Sequence, residues 1–109
     1  MNEGVVAFVT YPQNTENDVQ DFIQGILEAR LAACINMMPV NSRYWWQGNL
    51  EADQEFLLVI KTTHDKIQKL EEWILKHHPY QVPEFVVLPT VYITQKYAQW
   101  LTHETHIPE

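Results

Sequence analysis

The chain has 109 residues, of which 46% are apolar and 12% aromatic, and its 14 acidic and 7 basic side chains give a net charge of −7. This length is typical of one domain, and we expect a single domain over residues 1–109. The apolar and aromatic content is too high for a disordered chain. The basic side chains form no cluster, so we expect no nucleic-acid partner.

The start of the chain and its cysteine content predict where the protein works. Residues 1–4 carry no basic side chain, and the apolar run at residues 5–9 is too short for the core of a signal peptide. The apolar run at residues 56–60 is likewise far below the ~20 residues of a membrane-spanning helix. Cys34 is the only cysteine and cannot form an internal disulfide, which is typical of a reducing compartment. We expect a cytoplasmic protein without a membrane partner.

The first third of the sequence predicts a strand followed by a helix. The β-branched run at residues 5–9 ends at Tyr11 and Pro12 and is typical of a buried strand. Residues 15–18 are similar to a capping box, in which the Thr15 hydroxyl accepts a hydrogen bond from a free backbone N–H. Apolar residues at the spacing of one helical face then predict the helix: Val19, Phe22, Ile23, Ile26 and Leu27.

The middle of the sequence predicts a long β-hairpin. We expect one strand over residues 33–47, bent or bulged near Pro39 because proline has no N–H to donate. A turn at residues 47–49 and a return strand over residues 50–62 follow. These arms are about 13–15 residues long, whereas strands usually have about 5–6.

Three consecutive aromatic residues lie near the tip of this hairpin: Tyr44, Trp45 and Trp46. Neighbouring side chains of a strand point to opposite faces, so the two tryptophans cannot enter the same core. A long aromatic hairpin promotes aggregation unless something covers it, and we expect further copies of the chain to pair with it in a closed homo-oligomer. The alternative is a monomer with one packed face and one solvated aromatic side chain.

The rest of the sequence completes a recognisable fold. We expect a helix that begins at Thr63 or Asp65 and stops before Pro79, a strand at residues 85–88 and a last helix over residues 94–104. The order strand, helix, strand, strand, helix, strand predicts an α+β, ferredoxin-like (βαββαβ) fold. This fold has one antiparallel sheet with two helices on one face, here with an extra C-terminal helix.

The segment at residues 77–84 (HHPYQVPE) is the strongest candidate for chemistry. His77 and His78 end a predicted helix, two prolines hold the next residues extended, and Glu84 precedes a strand. Imidazole and carboxylate ligands suit copper, zinc or nickel. The alternative is that both histidines only interact favourably with the dipole at the helix C-terminus.

Other polar residues give weaker signals. Cys34 follows two alanines and is typical of a small buried apolar residue rather than a nucleophile. His103 and His106 lie near the chain end, where we expect them to be exposed. Alternating acidic residues form either a cation-attracting stripe or the solvated face of the return strand: Glu51, Asp53 and Glu55. No convincing activated nucleophile or acid–base pair is present, so we expect no enzyme.

Several motifs in the same order resemble the CutA divalent-cation-tolerance proteins. They are residues 31–36 (LAACIN), 44–51 (YWWQGNLE), 60–62 (IKT), 78–84 (HPYQVPE) and 87–89 (VLP), with Tyr97 and Trp100. The resemblance covers about residues 5–101. It implies a ferredoxin-like fold assembled into a homotrimer similar to the PII signalling proteins, with long hairpins pairing between subunits, and it implies binding of copper or another divalent metal without an organic cofactor.

The resemblance also implies site residues. Where a copper site is described in this family, its histidine and glutamate correspond to His77 and Glu84, with His78 as a further candidate ligand, and its cysteine corresponds to Val9. Without that thiolate we expect poor binding of Cu(I) and less selective binding of Cu(II) or zinc. Other matching or neighbouring residues are interpreted as structural or interface residues: Tyr44, Trp45, Trp46, Gly48, Cys34 and Tyr80.

One function and two alternatives follow. The first is a cytoplasmic homotrimer that binds a divalent metal, copper foremost, with low to moderate affinity and contributes to metal tolerance. The second is a PII-like sensor or adaptor that holds a small molecule in its intersubunit clefts. The third is a trimeric scaffold without catalytic activity.

Overall fold

The computed structural model describes residues 4–14 and 17–108. The strands are β1 (Gly4–Pro12), β2 (Cys34–Trp46), β3 (Asn49–Thr63) and β4 (Val86–Pro89), and they form one antiparallel sheet in the order β2-β3-β1-β4. The helices are α1 (Val19–Glu28), α2 (Ile67–His77) and α3 (Gln95–Glu104), and a 3₁₀ turn at His64–Lys66 leads into α2. This order and topology confirm the predicted α+β, ferredoxin-like fold with an additional C-terminal helix.

The core lies between the sheet and helices α1 and α2. Alternate residues of β1 are buried because successive side chains of a strand point to opposite faces, and Ala7 and Val9 have no exposed surface. Phe22 and Ile26 of α1 and Ile74 of α2 cover the same face of the sheet and belong to the same cluster. Both helices therefore pack on one face, as predicted from their apolar spacing.

The ends of α1 are set by local hydrogen bonds and backbone geometry. Asp18 is the N-cap, and its Oδ1 accepts a 2.8 Å hydrogen bond from the backbone N–H of Gln20. The predicted capping residue Thr15 lies outside the described residues. The helix ends at Glu28, and Arg30 adopts a left-handed conformation with φ of 61° two residues later.

The hairpin formed by β2 and β3 pairs in an uninterrupted register from Cys34 opposite Lys61 to Trp46 opposite Asn49. The predicted bulge near Pro39 is therefore wrong, since Pro39 lies directly opposite Phe56. β2 is an edge strand, and an edge strand donates only about half of its N–H groups to its single neighbour. Proline can therefore stand in β2 without the additional residue that a bulge would insert.

A two-residue turn closes the hairpin. Gln47 and Gly48 both have positive φ, at 51° and 83°, as the tight turns that match the twist of paired strands require. The sequence correctly predicts the turn, although it assigns Asn49, the first residue of β3, to the turn.

Half of the hairpin extends beyond the sheet. β1 pairs with β3 only from Gly4 opposite Thr63 to Pro12 opposite Glu55, and one further backbone bond joins the Gln13 N–H to the Gln54 carbonyl. Residues 49–53 of β3 therefore pair with β2 alone. Trp45 and Leu50 on this extension are 70% and 67% exposed, and the largest dimension of the molecule is 44 Å. The predicted overlong, apolar hairpin is confirmed.

The C-terminal half follows the predicted element order. Before α2 begins, the Thr63 hydroxyl donates a 2.5 Å hydrogen bond to Oδ1 of Asp65. The helix ends at His77, two residues before Pro79. Thr94 is the N-cap of α3. Across residues 4–14 and 17–108, no helix is long and apolar enough to span a membrane.

Candidate functional site

The candidate segment at residues 77–84 connects α2 to β4. His77 is the last residue of α2 and His78 is its C-cap, with the His78 N–H bonded to the carbonyl of Ile74 at 2.8 Å. Pro79 cannot continue the helix because it lacks an N–H. The two histidines consequently point into different surroundings.

His78 is buried and has no free ring nitrogen. Its Nδ1 accepts a hydrogen bond from the Tyr80 N–H at 3.0 Å and is therefore unprotonated, while its Nε2–H donates to the carbonyl of Thr10 at 2.7 Å. Burial lowers the pKa of His78, and the Thr10 carbonyl and the Glu55 charge only partly oppose this. The proposed ligand His78 is thus not available to a metal in this arrangement, since binding would break one of these two bonds.

His77 is exposed and presents one nitrogen to solvent. Its ring stacks on Trp73, with ring centroids 4.0 Å apart and an angle of 19° between the planes. Nδ1 lies 2.8 Å from the Trp73 carbonyl, and because a carbonyl only accepts, Nδ1 carries the proton. A histidine that binds a metal usually has its other ring nitrogen fixed in this way. The arrangement leaves Nε2 of His77 as the available ligand atom.

Glu84 lies near a second carboxylate that is almost completely buried. Glu55 on β3 is 4% exposed, and its Oε2 accepts a 2.6 Å hydrogen bond from the Tyr80 hydroxyl. Burial and this bond raise the pKa of Tyr80. Partial burial and the negative charge of Glu55 raise the pKa of Glu84. Both effects disfavour the ionised form of Glu84 relative to that of an ordinary glutamate.

The acidic surroundings continue along the hairpin. The Tyr44 hydroxyl donates a hydrogen bond to Asp53, which raises the pKa of Tyr44 to about 12. The alternating acidic residues of β3 therefore do not form a uniformly solvated face, because Glu55 is buried while Asp53 is exposed. The sequence does not predict the burial of Glu55 or its hydrogen bond to Tyr80. The presence of Tyr80, a possible donor, in the segment at residues 77–84 is a weak signal for such a bond.

Other predicted positions lie apart from this segment. Val9, the position where the resemblance implies a cysteine ligand, is fully enclosed in the core. Cys34 is partly buried at the start of β2 beside Tyr97, and burial and this neighbour raise the pKa of Tyr97. His103 and His106 are exposed, as predicted.

The described ranges 4–14 and 17–108 contain no group of three His, Cys, Asp or Glu side chains close enough together to hold a metal ion. Two accessible donors remain in the segment at residues 77–84, the imidazole of His77 and the carboxylate of Glu84, and the described structure does not bring them into a three-ligand group. Both are donor types that borderline divalent cations accept. A site closed by protein ligands on all sides, as in structural zinc sites, is not formed by this part of the chain.

Comparison with known proteins places the chain in a family. A family model described as CutA1 divalent ion tolerance protein matches residues 5–104, which is nearly the whole chain. The chain belongs to this CutA1 family. The divalent-cation tolerance protein CutA of Thermus thermophilus is 41% identical over 101 residues, covering 92% of this chain and 96% of that protein. The resemblance recognised in the motifs is thereby confirmed.

Solved structures of CutA1 family members share the fold. CutA1 from Oryza sativa matches with a TM-score of 0.87 and 38% identity, covering 94% of each chain. The periplasmic divalent cation tolerance protein CutA from Archaeoglobus fulgidus matches with a TM-score of 0.88 and 26% identity, covering 94% of this chain and 99% of that one.

Proposed function

We propose that the protein is a cytoplasmic homotrimer that binds a divalent cation, copper foremost, with low to moderate affinity, and that this binding contributes to tolerance of metal ions. Membership in a family described by divalent ion tolerance supports a cation as the ligand. The observation that carries the proposal is the His77 ring, whose Nδ1 is held by the Trp73 carbonyl while no described residue bonds its Nε2.

His77 and Glu84 are the proposed ligands, and His78 supports them. His78 fixes the chain after α2 by bonding both Thr10 and the Tyr80 backbone, which determines where the His77 ring emerges. Because no thiolate belongs to this donor set, Cu(II) and zinc suit it better than Cu(I). A site with few protein ligands agrees with modest affinity.

The hairpin supports assembly into a trimer. Its outer half pairs with no other strand of the same chain and carries the exposed side chains of Trp45 and Leu50. β2 and β4 are the two edges of the sheet and present unpaired backbone groups. Neighbouring copies that add strands to these edges would bury both features.

We propose a binding role rather than catalysis, and a cytoplasmic location. Two residues that suggest acid–base chemistry, His78 and Tyr80, are occupied by hydrogen bonds to Thr10, to each other and to Glu55. The single cysteine supports a reducing compartment. One relative of known structure is described as periplasmic, so fractionation of cells that express the protein tests the location directly.

Calorimetric titration with Cu(II) and with zinc tests the ligand assignment. We expect His77→Ala and Glu84→Gln each to weaken binding by about tenfold or more. His103→Ala, which removes another exposed histidine near a helix C-terminus, is the matched control and should bind as the parent chain does. Unchanged binding in both ligand variants, with their assembly intact by gel filtration, would refute the assignment.

Sedimentation analysis tests the assembly separately. We expect a species of three chains at micromolar concentration that Trp45→Glu dissociates, because a charge would be buried in the interface. Glu72→Lys on the exposed face of α2 changes surface charge without touching the hairpin and should leave the assembly intact. A stable monomer of the parent chain would refute the trimer.

A further inference from the structure

A small cleft lies between the start of α1 and the end of α2. Its volume is about 280 Å³, at the lower end of the range for ligand pockets, which indicates a small ligand. Aromatic rings and carboxylates line it together: Tyr11, Phe22, Trp73, His77, Asp18 and Asp21. Among the described residues that line the cleft there is no lysine or arginine, and the charged ones are acidic.

Tyr11 lines this cleft, and its hydroxyl forms no hydrogen bond with the described residues. Tyr11 is 4% exposed, and its ring packs against Phe22 with centroids 4.7 Å apart. None of the described side chains has a fully enclosed polar atom without a hydrogen-bond partner. Since the Tyr11 hydroxyl has no partner among these residues, it is not fully enclosed, and we infer that it is the part of Tyr11 that reaches the cleft. The hydroxyl is therefore able to bond to water or to a ligand in the cleft.

The carboxylates and His77 supply acceptors to the cleft, and the Asn17 amide, whose Nδ2 donates to Asn14 Oδ1, and the Trp73 indole N–H supply donors. Asp18 uses Oδ1 to cap α1 and keeps its second carboxylate oxygen, and Asp21 forms no ion pair within the described part of the chain. Nε2 of His77 is unprotonated in the tautomer set by the Trp73 carbonyl. A ligand that uses the two carboxylates and the imidazole nitrogen donates several hydrogen bonds and carries positive charge.

We propose that the cleft binds a primary ammonium group carried on a short alkyl chain. An ammonium has three N–H donors and no acceptor, which matches the carboxylates, the imidazole nitrogen and the hydroxyl oxygen. Its charge is attracted to the faces of the surrounding rings, and the alkyl chain packs on them. A directly coordinated metal fits less well, because these side chains do not form a three-ligand group at metal-binding distance.

This inference goes beyond the proposed metal binding and shares only His77 with it. Asp21 and Tyr11 line the ammonium cleft, whereas Glu84 does not line it and interacts electrostatically with Glu55. Variants at these positions therefore separate the two activities. Failure of one proposal leaves the other standing.

The test is a titration of the full chain with n-butylammonium, followed by NMR chemical-shift changes at neutral pH. We expect saturable binding with a Kd on the order of 1 mM, and shifts that centre on Asp18, Asp21 and the Trp73 indole. Two control probes with the same four-carbon chain show whether the charge and the N–H donors of the ammonium group are needed for binding. Butanol lacks the charge and butyltrimethylammonium lacks the N–H donors, so both should bind at least about tenfold more weakly.

Two substitutions locate the site. Asp21→Asn should weaken butylammonium binding by about tenfold and Tyr11→Phe by about threefold to tenfold, while both leave Cu(II) binding unchanged. Glu72→Gln removes the same charge from the exposed face of α2 and should have no effect. Since the Tyr11 hydroxyl has no partner, Tyr11→Phe should also keep the stability of the parent chain.

The outcomes decide the proposal as follows. Absence of saturable butylammonium binding, equal binding of butanol, or unchanged binding in Asp21→Asn would overturn it. A clear loss of stability in Tyr11→Phe would also overturn it, because the hydroxyl would then serve the fold. Nα-acetyl-lysine amide distinguishes the source of the ammonium: if it binds more tightly than butylammonium, the ligand is a lysine side chain, and if more weakly, a free amine.

Discussion

The hydroxyl of Tyr80 donates a 2.6 Å hydrogen bond to the carboxylate of Glu55, 25 positions away in the chain. Glu55 lies opposite Pro12, the last residue of β1, and opposite Val40 of β2, so it marks the point where the sheet ends and the hairpin continues alone. The bond therefore attaches the segment after α2 to the base of the hairpin. It also provides the buried carboxylate with a donor, which a buried charge requires.

Replacing Tyr80 by Phe should destabilise the protein. The substitution removes the donor to an almost fully buried carboxylate, and such a loss costs about 1–3 kcal/mol of unfolding free energy. Denaturant unfolding at fixed protein concentration measures the change. Tyr92→Phe is the control, since Tyr92 is 81% exposed and its hydroxyl has no partner in the described chain. Equal stability of the two variants would contradict the role of the Tyr80 hydroxyl.

The stability of the metal-free protein should fall on acidification below about pH 6.5 because of His78. Burial lowers the pKa of His78 in the folded state below its ordinary value of 6.5, with Glu55 and the Thr10 carbonyl opposing this shift. The unfolded chain therefore binds the proton at a higher pH than the folded chain does. By linkage, stability is fully present above the unfolded pKa and decreases as the pH falls toward the folded pKa.

Unfolding free energies measured between about pH 5 and 8 test this dependence. His78→Gln should be less stable near neutral pH but lose less stability on acidification. His103→Gln changes an exposed histidine and should keep the slope of the parent chain. An unaltered slope in His78→Gln would mean that other groups cause the dependence.

The sequence predicts the fold well because its patterns are local and strong. The 13 and 15 residues of β2 and β3 are close to the predicted hairpin arms, and the helix faces follow the apolar spacing. The predicted bulge at Pro39 is wrong because a strand can contain proline without a bulge when it lies at the edge of the sheet, as β2 does. The local sequence does not determine the order of the strands. A rule about proline in ladders applies only once the neighbours of the strand are known.

The candidate site was predictable only in part. Residues 77–84 identify the segment, but only the structure shows that His77 presents a nitrogen while His78 uses both. The roles of Glu55 and Tyr11 could not be predicted, because the contact with Tyr80 and the cleft near Asp18 join positions far apart in the chain. Spacing along one element predicts which side chains share a face, not which distant residue covers them.

Substitutions in the hairpin turn should act through backbone strain alone. Gly48 has a φ of 83°, and a Cβ added there would meet no atom within 4 Å, so Gly48→Ala should cost about 1 kcal/mol from conformation rather than collision. Gln47 has a φ of 51°, which asparagine adopts more readily, and Gln47→Asn should stabilise by roughly 0.5 kcal/mol. Thermal unfolding of both variants provides the measurement, and a loss of stability in Gln47→Asn would contradict the assigned turn.

Gly25→Ala should destabilise the contact between α1 and α2, even though alanine favours helices. A Cβ at Gly25 would lie 2.6 Å from Cζ2 of Trp73. This indole cannot turn away freely, because it also packs on Phe22 and stacks on His77. Overpacking costs about 1–3 kcal/mol, against a gain of about 1 kcal/mol in helix propensity, so we expect a net loss in denaturant unfolding.

A double-mutant cycle with Trp73→Phe isolates this collision. The phenyl ring lacks the atoms that the new methyl group would meet, so Gly25→Ala should be neutral or stabilising in the Trp73→Phe background. In the parent background the displaced indole should also shift the ring of His77, which rests on it, and weaken Cu(II) binding. If Gly25→Ala has the same effect in both backgrounds, the close approach of Gly25 to Trp73 does not limit the packing of the two helices.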